Sequence, residues 1–191
     1  MTLEKVRPGS PEPLPINPGL IAVDLGGTLI SSGQNRPGAT RLLEELSGKG
    51  LQVILMSGEG KWFEKKLFKD NPDWRGLISQ CLWDEDIHGL VGRMPWIEKQ
   101  REWLEQMREI EQGVFNQIEK FISASDGGKY PPLWGIGVSI DDGALRFNRL
   151  ILPRLGRYGF TVINPLSEFR EGPEGWVDRV LGEVDQWRVT R

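Results

Sequence analysis

The sequence predicts an α/β domain of three layers, with a mainly parallel sheet of five strands and helices on both faces. Short apolar runs that end in polar or glycine residues alternate along the chain with longer segments of helical periodicity. Alternation of this kind is typical of a Rossmann-like fold. The length of 191 residues fits one domain that is large enough to bury a core without disulfides.

Composition and charge exclude several classes of protein. The 24 basic and 27 acidic residues leave a net charge of −3, so the sequence does not favour nucleic acid as a partner. A single cysteine, Cys81, excludes an internal disulfide and fits the reducing cytoplasm. No apolar run reaches the length of a membrane span, so no membrane partner is expected either.

An N-terminal arm precedes the predicted domain. Five prolines fall between residues 8 and 18, and proline at this density is incompatible with a helix. We therefore predict an extended, proline-rich arm over residues 1–19 and a single α/β domain over residues 20–191.

The five predicted strands share one pattern, a short apolar run that is closed by a polar or glycine residue. The first run, Leu-Ile-Ala-Val, is typical of a strand that is buried on both faces of a parallel sheet. The predicted strands cover residues 20–23, 52–56, 77–83, 134–140 and 160–164.

The segments between the strands carry apolar residues at helical spacing. Pro37 favours the start of the first helix and Gly48 favours its end, because proline suits the first turn and glycine the C-terminal cap. The predicted helices cover residues 37–48, 61–69, 96–122, 144–155 and a final segment that begins at Pro173.

Polar residues follow three of the predicted strands directly. Asp24 ends the first strand, Ser57 the second, and Asp141 with Asp142 the fourth. In parallel sheets, binding sites form beyond the carboxyl ends of the strands. These side chains are therefore expected to meet at one edge of the sheet, and this convergence is the main functional signal of the sequence.

Three stretches resemble the motifs of the haloacid dehalogenase-like (HAD) superfamily. Residues 23–29, Val-Asp-Leu-Gly-Gly-Thr-Leu, resemble its first motif, in which an aspartate follows an apolar strand. Residues 37–58 resemble its second stretch, which ends in Ser or Thr, and residues 138–142 resemble its acidic fourth motif. The resemblance spans residues 20–164 and implies a phosphatase or another hydrolase of phosphoryl groups.

The resemblance implies a magnesium site. Asp24 would be both the nucleophile that forms an aspartyl-phosphate and a ligand of Mg²⁺. The backbone carbonyl of Gly26 would be a second ligand, and Asp141 with Asp142 would complete the site. A carboxylate needs such a cation to approach an anionic phosphate, and Mg²⁺ prefers oxygen ligands.

The resemblance also implies residues that hold the phosphoryl group. Ser57 would donate a hydrogen bond to a phosphoryl oxygen, with Gly58 and Thr28 beside it. A lysine normally pairs with the nucleophile, and Lys99 and Lys129 are the two candidates. Lys99 is favoured, because the first turn of a helix that starts at residue 96 would lie at the carboxyl edge of the sheet.

Gly26 departs from the family at a decisive position, because a second aspartate normally acts there as general acid and base. Such a group is typically worth about 10² to 10⁴ in rate. The departure allows a slow or atypical hydrolase, with Glu59 as a substitute base, or a catalytically inactive scaffold with the same fold.

The small size of the segments between motifs predicts a protein without a cap domain. About a dozen residues separate Leu29 from the next helix, too few for a domain. Family members of this kind tend to accept phosphorylated macromolecules or to close their sites by homo-oligomerisation. Residues 83–96 are expected to border the cleft as a rim or lid. The eight tryptophans fit either a bulky core or an aromatic surface for a partner.

Residues 24–28, Asp-Leu-Gly-Gly-Thr, also resemble the first phosphate loop of sugar kinases of the actin and hexokinase superfamily, in which Gly26 is the expected residue. Those kinases need two such domains, and their motif lies in a β-hairpin, whereas here a helix is predicted from Pro37. A sugar-kinase-like ATP-binding fragment is therefore the less favoured alternative.

Overall fold

A computed structural model describes residues 16–83, 85–86, 135–142, 161–166 and 173–190 of the chain. The predicted helices over residues 96–122 and 144–155 lie outside these ranges, as does most of the predicted arm. The described end of the arm lies against the domain, because the N–H of Asn17 donates to the carbonyl of Gly135 at 2.7 Å.

The strands confirm the predicted fold class. Five of them form one parallel sheet of order β5-β4-β1-β6-β7, which makes this an α/β protein of the Rossmann-like kind. Its strands are β1 (Leu20–Asp24), β4 (Gln52–Met56), β5 (Ile78–Leu82), β6 (Val138–Ile140) and β7 (Thr161–Ile163). A separate hairpin is formed by β2 (Ile30–Ser31) and β3 (Gln34–Asn35).

Four helices flank this sheet within the described residues: α1 (Ala39–Gly48), α2 (Phe63–Asp70), α3 (Trp74–Leu77) and α4 (Gly175–Val189). The first begins two residues later than Pro37 predicts. The reason is Gly38, whose φ of 84° is left-handed and incompatible with the helix. A side chain there would also contact α4, since a Cβ on Gly38 would lie 2.8 Å from Val177.

The order of the strands places a switch point beside β1. The chain runs from β1 to β4 and β5 on one side and continues in β6 and β7 on the other side. The carboxyl ends of β1 and β6 therefore flank the crevice at which the strand order reverses. In open α/β sheets, this crevice is the usual place for a ligand.

Both faces of the sheet are buried. Along β1, Ile21 and Val23 belong to the larger core cluster, whereas Leu20 and Ala22 belong to a smaller one on the opposite face. The larger cluster includes apolar residues of all four helices. Burial on both sides explains why the strands consist of uninterrupted apolar runs.

Two elements were not predicted from the sequence, the short helix α3 and the hairpin of β2 and β3. The hairpin follows the Asp24 motif, so one argument against the sugar-kinase alternative was wrong as stated. However, β1 itself lies outside the hairpin and pairs with the parallel strands β4 and β6 on its two sides.

The described tryptophans favour the core over a partner surface. Trp74, Trp83, Trp176 and Trp187 are buried, whereas 70% of the Trp62 side chain is exposed. The indole N–H groups of three of them donate hydrogen bonds, to Thr40, Glu64 and the carbonyl of Pro37, at 2.7–2.8 Å. Trp83 is thus a core residue rather than part of a rim.

The structure bears on two predictions made from the composition, one about the single cysteine and one about membrane spans. Cys81 has no disulfide partner, and burial raises the pKa of its thiol to about 12, so the thiol stays protonated and unreactive at neutral pH. Among the described helices, none combines the length and the apolar character that crossing a bilayer requires.

Candidate metal and phosphate site

Three carboxylates converge at the switch point of the sheet. Asp24, Asp141 and Asp142 each offer an oxygen atom, and these oxygens all lie within 4.8 Å of one another. The Asp24 side chain is buried, whereas the other two are partly exposed. The cluster therefore opens to solvent on the side of β6, and the convergence expected for these three residues is present.

The pairing of the strands brings two of these carboxylates together. Val23 lies opposite Ile140 in the parallel ladder of β1 and β6, so Asp24 and Asp141 follow at the next position on neighbouring strands. The N–H of Asp141 donates to the carbonyl of Ile163 at 3.1 Å, which continues the ladder with β7. The backbone of Asp141 is thus fixed by the sheet rather than by a loop.

Ser57 lies at the end of the strand on the other side of β1. It is buried, and its N–H donates to the carbonyl of Leu82 at 3.0 Å. Its Oγ accepts the N–H of Glu59 at 3.1 Å, which leaves the hydroxyl proton available for another acceptor. Gly58, next in the chain, is exposed at the same edge.

Asp142 is held by the loop that follows β1. Its N–H donates to the Oγ1 of Thr28 at 3.1 Å, and the Thr28 side chain is fully buried. Its carboxylate lies directly over Gly27, where a Cβ would be 2.1 Å from Oδ2. Gly27 also has a φ of +78°, so both the conformation and the contact require glycine. Thr28 therefore links the two acidic loops.

Gly26 contrasts with its neighbour. It is exposed, and a Cβ built on it would have no heavy atom of the described residues within 4 Å. The turn around it is fixed by a hydrogen bond at 2.8 Å from the N–H of Gly27 to the carbonyl of Ile30. A Cβ could therefore stand at position 26 without displacing any group of the described residues.

The donor set fits a small divalent cation. Mg²⁺ binds oxygen ligands at about 2.0–2.1 Å, so two ligands on opposite sides of the ion lie about 4 Å apart. The carboxylate oxygens of the cluster, within 4.8 Å of one another, need only a small adjustment to reach this geometry. Asp24, Asp141 and Asp142 would hold the ion, with Gly26 on the same loop as Asp24.

An arginine pair beside the carboxylates was not predicted from the sequence. The pKa of Arg36 is lowered, chiefly by burial and further by the positive charge of Arg179. The negative charge of Asp142 acts in the opposite direction. Arg36 therefore lies close enough to both residues to interact with their charges. Single arginines without a motif give no signal in a sequence, so only the fold reveals this pair.

Other predicted site residues lie outside the described residues. These are Lys99, the alternative Lys129, and most of the predicted rim between residues 83 and 96. Between Leu29 and α1, the hairpin of β2 and β3 is the only inserted structure, so no domain is inserted at that point.

Fold and site together define a class of protein, an α/β protein of the Rossmann-like kind with an acidic cluster at the switch point of its sheet. The chain matches no protein-family model and no curated protein. It is similar to a crystal structure of an uncharacterized protein from Corynebacterium glutamicum, with 13% sequence identity over 91% of this chain and 96% of that one, at a TM-score of 0.44. A similarity of this size carries no inference about function.

Proposed function

We propose that the protein is a HAD-like, Mg²⁺-dependent phosphatase or phosphoryl-transfer enzyme that works through an aspartyl-phosphate on Asp24. The observation that supports this most directly is the cluster of Asp24, Asp141 and Asp142 at the switch point of the sheet. Carboxylates that lie so close repel one another, and a cation that they share removes the repulsion.

The chemistry requires an oxygen of Asp24 to attack phosphorus. A bound Mg²⁺ would neutralise the phosphate charge that otherwise repels this carboxylate. Asp24 is suited to the attack because it is buried and its backbone is fixed by the sheet. The attack forms a bond between its Oδ and phosphorus and breaks the bond to the leaving oxygen. Ser57 would donate a hydrogen bond from its hydroxyl to a phosphoryl oxygen.

Gly26 limits both halves of this reaction. In the first half, no carboxylic acid at position 26 protonates the leaving oxygen, so a group that departs as a stable anion is favoured. In the second half, no base at this position takes a proton from the water that attacks the aspartyl-phosphate. We therefore expect slow turnover and an aspartyl-phosphate that persists. Glu59 is exposed and remains a candidate base.

The proposal includes phosphorylated macromolecules among the substrates. Only a short hairpin stands between the Asp24 motif and α1, so that segment does not enclose the site as an inserted domain would. Asp141 and Asp142 are partly exposed. A second copy of the chain remains a further way to close such a site.

The proposal is tested by hydrolysis of an aryl phosphate, whose leaving group needs no acid. We expect turnover that requires Mg²⁺ and that is lost in Asp24→Asn. The matched control is Asp185→Asn, the same substitution on α4, where the carboxylate only pairs with Lys49 on the surface. Equal turnover in Asp24→Asn and in wild type would overturn the proposal.

A non-catalytic scaffold is the second candidate, and Gly26 favours it because the position that normally carries the acid is open. In that case Mg²⁺ binding would depend on the three aspartates as before, but no aryl phosphate would be turned over. Calorimetric titration with Mg²⁺ alongside the turnover assay separates the two candidates.

A further inference from the structure

Two guanidinium groups meet at the carboxyl end of β7, next to the acidic cluster. The Nη2 of Arg36 donates to the carbonyl of Pro165 at 2.9 Å, and the Nη1 of Arg179 donates to the carbonyl of Asn164 at 2.9 Å. Because these carbonyls belong to consecutive residues, both guanidinium groups are anchored to the same short segment after β7. Arg36 comes from the loop before α1, and Arg179 comes from the first half of α4.

Arg36 is held rigidly in this position. Its guanidinium lies over the ring of Trp176, with Cζ 4.2 Å from the ring centroid. Trp176 is buried and donates its indole N–H to the carbonyl of Pro37 at 2.8 Å. The backbone N–H of Arg36 donates to the carbonyl of Leu29 at 2.8 Å, which ties the residue to the loop that follows Asp24.

The arrangement brings like charges together in a partly buried place. Arg179 pairs with the carboxylate of Glu183 at 2.9 Å, and the Glu183 side chain of this pair is 45% exposed. The Nη1 of Arg36 is shielded from solvent and has no hydrogen-bond acceptor among the described residues. Leaving a buried donor without an acceptor is unfavourable, so an oxyanion in this position would be favourable.

We infer that Arg36 and Arg179 form a second anion site, which binds a carboxylate or phosphate group of the substrate while the transferred phosphoryl group lies at Asp24. The inference rests on the proposed function and adds the class of substrate, a phosphate ester with a second oxyanion. Planar guanidinium groups match such oxyanions by paired hydrogen bonds.

The test compares the binding of matched ligands by calorimetry in the presence of Mg²⁺. Ethyl phosphate carries one anionic group, 2-phosphoglycolate adds a carboxylate, and the bisphosphate of ethylene glycol adds a phosphate. The alkoxides that leave from alkyl phosphates are poor leaving groups, so turnover during the titration is small. We expect at least one of the two ligands with a second anionic group to bind wild type about tenfold or more tightly than ethyl phosphate. The ligand with the larger gain in affinity shows whether a carboxylate or a phosphate is the preferred second group.

We define the affinity ratio as the affinity for a ligand with a second anionic group divided by the affinity for ethyl phosphate. This ratio should fall towards one in Arg36→Met and should decrease in Arg179→Met. The matched control is Arg188→Met on the same helix, because Arg188 donates to the carbonyl of Lys49, at the opposite edge of the sheet. If Arg36→Met does not fold, Arg36→Lys serves instead. The lysine variant keeps the positive charge but loses the paired donors of the guanidinium group. Its affinity ratio should therefore lie between that of wild type and one.

Two negative results are distinguishable. If ethyl phosphate and both ligands with a second anionic group bind wild type equally, the second anion site is wrong and the proposed function stands. The second anion site is also wrong, and the proposed function still stands, if the affinity ratio in Arg36→Met equals that of wild type. If no ligand binds in a way that requires Mg²⁺ and Asp24, the proposed function itself fails, and the inference fails with it.

Discussion

Asp142 illustrates how single residues define this site. Its carboxylate lies over a glycine that has no room for a side chain, and its N–H is bound by the buried hydroxyl of Thr28. The sequence identified Asp142 as a candidate ligand but gave no reason to single out Gly27. That requirement arises from a contact between two loops that are far apart in the chain.

Gly27→Ala should weaken metal binding by displacing the carboxylate of Asp142. A group that orients a ligand is typically worth about 10–100-fold in metal affinity, and we expect a loss of this order. The left-handed conformation adds about 1–2 kcal/mol of destabilisation. The measurement is a calorimetric titration with Mg²⁺ together with thermal unfolding.

Gly50→Ala is the matched control for this change. Gly50 has a nearly identical φ of +75°, but a Cβ there would have no neighbour within 4 Å. The Gly50→Ala variant should lose about as much stability as Gly27→Ala from its backbone conformation, but it should keep its affinity for Mg²⁺. Equal affinity in both variants would contradict the role assigned to Gly27.

Gly26→Asp should raise the turnover of substrates with poor leaving groups. A Cβ at this position has no heavy atom of the described residues within 4 Å, so the new side chain can be accommodated at its base, and its carboxyl is expected to act as general acid and base. Such groups contribute about 10² to 10⁴ in rate. The assay compares alkyl and aryl phosphates in the variant and in Gly26→Asn, which has similar size but no acid. A lower or unchanged rate with intact metal binding would mean that this position has another task.

At the scale of elements, the sequence predicted the strands well where hydrophobicity alone determines them. β4 has the bounds that its apolar run indicated, and β1 differs from its prediction only by including Asp24. The first helix begins later than predicted because the conformation of Gly38 depends on its contact with α4. The hairpin was missed because strands of two residues have no measurable periodicity.

The turn of this hairpin leads to a prediction of stability. Ser32 and Gly33 both have positive φ, at 52° and 77°, which is the type I′ geometry that favours Asn-Gly. Ser32→Asn should stabilise the fold by up to about 1 kcal/mol, because asparagine tolerates this conformation better than serine. Chemical denaturation of the variant measures the effect.

Ser31→Asn is the control for the turn, since Ser31 lies in β2 and is also exposed. It should not stabilise the protein. If Ser31→Asn stabilises as much as Ser32→Asn, the effect does not come from the geometry of the turn.

At the scale of the whole molecule, the order of the strands creates the site. Asp24 and Asp141 are distant in sequence and become neighbours only because β6 pairs with β1 at the point where the chain changes sides. The sequence predicted this convergence from the polar residues that end the strands. It could not predict the Arg36–Arg179 pair, because the loop before α1 and the helix α4 meet only in the folded protein.

Mg²⁺ should therefore stabilise the whole fold. A ligand that binds only the folded state adds about 2.7 kcal/mol at a concentration one hundred times its Kd. We expect the melting temperature to rise with Mg²⁺ in wild type and in Asp185→Asn, and to stay constant in Asp24→Asn and Asp141→Asn. A rise that persists in both of these variants would place the cation elsewhere.

The account depends most on a covalent bond between Asp24 and the phosphoryl group. Wild-type protein would be mixed with Mg²⁺ and an aryl phosphate, quenched in acid, digested and analysed by mass spectrometry. Because no acid or base stands at position 26, the intermediate should accumulate. One phosphoryl group is expected on the peptide that contains Asp24, and none in Asp24→Asn or without Mg²⁺. Turnover with the phosphoryl group on another residue, such as Ser57, or with unmodified protein and no dependence on Asp24, would contradict the account.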